Sequence, residues 1–209
     1  MEDLKTGDIV IYSKKTGGWL SSLLSKQKNY QHMGIVLKDP TYINESLKGL
    51  YVWQPHYVER TSESDSDEET NEEGNVTTTE VSLEESYPLN LEILPLANIL
   101  DRPGETWDRV YCRSLLHKHV CFTDEMLKDM IVTTTLNDIY PKGTDTTVLG
   151  NETNTLNHGS SFVGYVYVKN MILNSETDWT KLRPQDFADE TENIRFNIDV
   201  SLDKMTQLE

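Results

Sequence analysis

Cysteine is scarce: Cys112 and Cys121 are the only two in 209 residues. Two cannot build a disulfide framework, and their spacing matches no zinc pattern. The five histidines, His32, His56, His117, His119 and His158, do not recur at a metal-binding interval either, so neither a metal nor another cofactor is expected. Basic charge is also short, with 19 Lys and Arg against 35 Asp and Glu and a formal net charge of -16. That balance argues against unaided nucleic-acid binding, which needs clustered cations on phosphates, and against an anionic membrane surface. No apolar run approaches the roughly 20 residues that cross a bilayer, so stable membrane insertion is not expected. The opening MEDLKTGDIV lacks the basic start and apolar core of a secretion signal, which predicts a cytoplasmic rather than a secreted protein.

Hydrophobic residues make up 36% of the chain and the mean hydropathy is -0.55, so part of it is expected to stay outside any core. The length suits one domain, 1–209. Ile9 to Tyr12 in "GDIVIY" read as a strand, and Trp19, Leu20, Leu23 and Leu24 fall at helical spacing after Gly17-Gly18. "HMGIVL" reads as a second strand, with His32, Gly34 and Val36 on one face and Met33, Ile35 and Leu37 on the other. "LYVWQP" is a third, and the turn-rich loop between these two suits an antiparallel pair.

From about 61 to 80 the chain becomes "TSESDSDEETNEEGNVTTTE". Burying those carboxylates would strip their hydration without return, which predicts a mobile acidic insert able to serve as a contact for a protein partner. "DRVYCRSLL" restores strand character, with Val110 and Cys112 on one face and Tyr111 and Arg113 on the other. Cys112 reads as a small core residue; Cys121, just ahead of a helix predicted from Thr123 onward, reads as structural for want of an accompanying motif. In "HGSSFVGYVYVKNMIL", Ser160 or Ser161 can cap a helix whose apolar stripe is Phe162, Val163, Val166, Tyr167 and Met171. One more strand, "IRFNIDV", precedes a polar C-terminal tail.

"GDIVIY", "YQHMGIVL", "YVWQP", "HGSSFVGYVYV" and the downstream "LRPQDF" together resemble the circularly permuted papain-fold amidases of the NlpC-like superfamily. The likeness is to the YiiX-type proteins and their relatives in poxviruses and other large DNA viruses; lecithin:retinol acyltransferases are more distant kin. The resemblance implies an α+β fold, a small antiparallel sheet or partial barrel packed against helices, with histidine first, a polar orienting residue second and the nucleophile last. It assigns His32 as general base, Gln54 as the residue orienting its ring and Ser160 as the nucleophile position, where relatives carry cysteine. The substrate would be a peptide, amide or acyl ester, and a virion location joins the cytoplasmic one.

Serine at that position has three explanations: an introduced Cys-to-Ser change, natural degeneration to a binding role, or a working serine with His32 as base. Little or no turnover is expected, and a catalytically silent interaction or virion component is the rival to a thiol-hydrolase-type enzyme. Structural readings stand beside each assignment. His32 can be a hydrogen-bonded strand residue, Gln54 the end of a strand and Ser160 an N-cap, while His56 and His158 are secondary candidates for the proton-handling roles.

Overall fold

The computed structural model describes residues 3–13, 30–56, 91–101, 107–118, 122–139, 158–189 and 191–208. The expected helix at Trp19 to Leu24, the acidic insert, Cys121 and the side chain of His158 lie outside what is described.

Helices pack against an antiparallel sheet. Strands β1 (Ile9–Ser13), β2 (Tyr30–Lys38), β3 (Leu50–Pro55), β4 (Leu91–Pro95), β5 (Arg109–Arg113) and β8 (Thr206–Leu208) form one six-stranded sheet in the order β4-β3-β2-β1-β5-β8. β6 (Leu115–His117) and β7 (Val200–Leu202) make a separate antiparallel pair. The helices are α1 (Leu96–Leu100), α2 (Asp124–Thr133), α3 (Leu136–Ile139), α4 (His158–Lys169) and α5 (Pro184–Asp189), with a 3-10 turn at Trp179–Lys181.

All five residues of β1 are buried, because both faces of the sheet are covered there. One face carries Ile9, Ile11, Met33, Ile35, Leu37 and Trp53 against Phe162, Val163, Val166 and Tyr167 of α4. The other carries Val10, Tyr12, Val36, Val52, Val110 and Cys112 beneath Leu4, Leu96 and Trp107. The alternation read from "HMGIVL" and "DRVYCR" thus divides the side chains between two apolar layers. Tyr167 pins the far end of α4, its hydroxyl donating to the Gly7 carbonyl at 2.6 Å. The β2–β3 connection closes where Gly49 N donates to Asp39 Oδ1 at 2.7 Å, and Gly49 takes a φ of 104°, which only glycine adopts freely.

Two local expectations change. "IRFNIDV" supplies a single bridge, Phe196 to Leu173, then a turn with Asp199 at φ 64°, so pairing resumes only at Val200. Met171 leaves the apolar stripe: α4 ends at Lys169, and Met171 sits beyond it at φ 55°, 76% exposed.

Candidate functional site

The candidate residues converge where β2 meets the start of α4. Pairing of β1 with β2 sets Tyr12 opposite His32 and Ser13 opposite Tyr30, so Gln31 is an extra residue and β2 bulges immediately before the histidine. A bulge shifts the alternation of side chains past it. Tyr30 accordingly joins the layer under α4, whereas His32 sits among the aromatics of the opposite face. Its ring lies 5.4 Å from that of Tyr12 and runs parallel to Trp107 at 5.9 Å, with 7° between the planes. Only 3% of His32 is exposed.

Gln54 is equally buried and is held at both ends of its amide. Tyr12 donates its hydroxyl to Gln54 Oε1 at 2.6 Å, and Gln54 Nε2 donates to Glu92 Oε1 at 3.0 Å. The register explains the reach: β2 lies between β1 and β3, and Gly34, next but one to His32, leaves its surface clear. A β-carbon at residue 34 would lie 2.4 Å from Val52 Cγ1 and 3.0 Å from Gln54 Cβ. Burial, and secondarily the negative charge of Glu92, keep the Tyr12 phenol well above its ordinary pKa, so it stays protonated and donates. Glu92 stands directly across from Gln54 on β4, and its second oxygen lies 2.8 Å from Nδ1 of half-exposed His56. A polar row therefore crosses four strands from Tyr12 to Glu92 and reaches solvent at His56.

The helix start is organised differently. Ser160 is fully buried and donates its hydroxyl to the Leu182 carbonyl at 2.6 Å; Ser161 donates to the Thr180 carbonyl at 3.4 Å. α4 already begins at His158, so Ser160 lies within its first turn and is not its cap. Residues 160, 161 and 164 share the side of the helix that meets the 179–182 turn, where a β-carbon on Gly164 would fall 2.6 Å from Leu182 Cδ1. Gly159 comes close to the imidazole. A β-carbon there would lie 3.0 Å from His32 Nδ1, 2.5 Å from Met33 N and 2.6 Å from Met33 O.

His32 and the first turn of α4, far apart in sequence, are thus neighbours, and Gln54 reaches His32's surroundings through Tyr12. Tyr12, Glu92, Trp107 and Gly159 were not singled out from sequence. For Gly159 a signal existed: counting back from Phe162, Val163, Val166 and Tyr167 by helical spacing puts 159 at the centre of the stripe and 160 at its edge, beside Tyr167. Cys112 is buried in the Tyr12 layer, its thiol pKa raised by burial first and by Asp8 second, as suits a packed core residue. No cluster of three or more potential metal ligands occurs among the described residues. No helix among them is long and apolar enough to cross a membrane. No family model, curated protein or solved structure matches the chain.

Proposed function

We infer that this protein is a catalytically silent interaction protein on a permuted papain-like, NlpC-like scaffold. The order of His32 on a strand, Gln54 at the end of the next and a helix start late in the chain supports the scaffold. The observation that carries the silence is the Ser160 hydroxyl, fully buried and donating to the Leu182 carbonyl. A serine nucleophile must hand its proton to a base during attack and meet the substrate's carbonyl carbon, and both require an exposed Oγ. Gln54 is neutral, and its amide is engaged by Tyr12 and Glu92. With a net charge of -16, much of it in 61–80, the partner this reading favours is a basic protein surface, in the cytoplasm or a virion.

The deciding experiment treats the unaltered chain with a fluorophosphonate probe and an activated ester. No labelled serine and background hydrolysis are expected. Labelling at Ser160 that disappears in both Ser160→Ala and His32→Ala would sink the proposal.

One observation favours a second reading, a thiol hydrolase of amide, thioester or ester bonds whose cysteine has been replaced at 160: the imidazole does sit at the start of α4. Restoring the thiol with Ser160→Cys tests it, since that reading requires iodoacetamide to alkylate residue 160 far faster than buried Cys112.

A further inference from the structure

We propose that residue 159, and not 160, is the position through which α4 addresses His32, and that glycine there makes the helix start a backbone cap over the imidazole. The proposal rests on the silent-scaffold reading and names how the silence is built. Three observations carry it. Gly159 continues the buried stripe of Phe162, Val163, Val166 and Tyr167, so whatever stands at 159 must face the sheet. A β-carbon at 159 would come within 3.0 Å of His32 Nδ1 and within 2.6 Å of two backbone atoms of Met33, an approach that backbone cannot relieve by a rotamer change. His32, with its ring against Tyr12 and Trp107 and its Nδ1 edge toward this turn, retains only 3% exposure, although the polar row beside it runs out to half-exposed His56.

Any side chain at 159 must therefore lift the first turn of α4 away from β2. Lifting it uncovers the imidazole and sets the new side chain beside Nδ1. Gly164 is the natural contrast, since a β-carbon there presses on Leu182 and Trp179, on the side of the helix away from His32.

Two experiments on the full chain test the proposal. Gly159→Cys and Ser160→Cys are alkylated with iodoacetamide at mildly acidic pH and read peptide by peptide, with Cys112 as the buried reference. The thiol at 159 is expected to react at least about tenfold faster than that at 160, because an adjoining imidazolium favours the thiolate, and to lose this advantage when His32→Ala is added. Equal rates, or an advantage that survives His32→Ala, overturn the assignment of 159. The cap is tested with diethyl pyrocarbonate, using the ratio of His32 to His56 modification. That ratio is expected to be well below one in the unaltered chain, to rise severalfold in Gly159→Ala and to stay low in Gly164→Ala. A ratio near one in the unaltered chain, which needs no variant to fold, overturns the cap, as does an equal rise in both variants. Ester turnover by the unaltered chain would instead remove the silent-scaffold reading, so the two failures are distinguishable.

Discussion

The two sides of the junction between β2 and α4 use their polar groups in opposite ways. On the sheet side, Tyr12, Gln54, Glu92 and His56 bond to one another in a row that leads from the layer around His32 to the surface. On the helix side, Ser160 and Ser161 bind the carbonyls of Leu182 and Thr180. The sheet side is a connected row that reaches solvent at His56. The helix side fastens the 179–182 turn onto α4. Groups of similar chemistry are thus tied to different parts of the fold, those of the sheet to one another and the hydroxyls of the helix to backbone.

Substitutions test this contrast, and Gly159→Ala should perturb it most. Its methyl group meets Met33 backbone at under 3 Å, so a loss of about 3 kcal/mol is expected, read as a lower urea midpoint at unchanged slope. A loss below about 1 kcal/mol would mean that the helix start does not depend on the close approach. Tyr12→Phe comes next. It deprives buried Gln54 Oε1 of its donor and should cost about 2 kcal/mol by the same measurement. Ser160→Ala deprives the Leu182 carbonyl of this hydroxyl and should cost about 1 kcal/mol while leaving ester hydrolysis at background. A loss of hydrolysis in that variant would reverse the distinction between the two sides.

His56→Ala, at the solvent end of the row, should cost less than about 0.5 kcal/mol, since an exposed pair with Glu92 is screened by water and salt. The smallest effect concerns Cys112. Burial raises its thiol pKa, so iodoacetamide should label it only after unfolding. Its folded pKa lies above the unfolded one, so its contribution to stability is complete below the unfolded value and is lost as pH rises through the folded one, a slight weakening that starts above about pH 8.5. Comparing urea midpoints on the two sides of that pH in the unaltered chain and in Cys112→Ala measures it.

Much of the sheet was legible because strand periodicity is local. "GDIVIY", "HMGIVL", "LYVWQP" and "DRVYCR" all became strands, and their alternation divides correctly between two layers. Sequence spacing could not show the bulge at Gln31, which depends on how β1 and β2 align, and that bulge puts Tyr30 in the layer opposite His32 although the two are only two residues apart. Glu92 and Tyr12 were invisible for a related reason: each matters only through a partner on another strand. Gly159 is a different case. Its spacing from Phe162 and Val163 places it on the stripe, but a residue without a side chain carries no chemistry that marks a site, unlike the hydroxyl beside it.

Four strands of the sheet, most of the apolar stripe of α4, the acidic balance of the chain and the presence of an imidazole at the edge of a buried strand are written in the amino-acid order. Those properties follow from the periodicity and polarity of neighbouring residues, which the order of the chain already contains. Only the packed molecule shows that the start of α4 lies against the backbone of β2, that Gly159 comes close to His32 Nδ1, and that Ser160 is bound to Leu182. Each depends on the distance between segments more than twenty residues apart, and that distance is fixed by packing the two faces of the sheet at once.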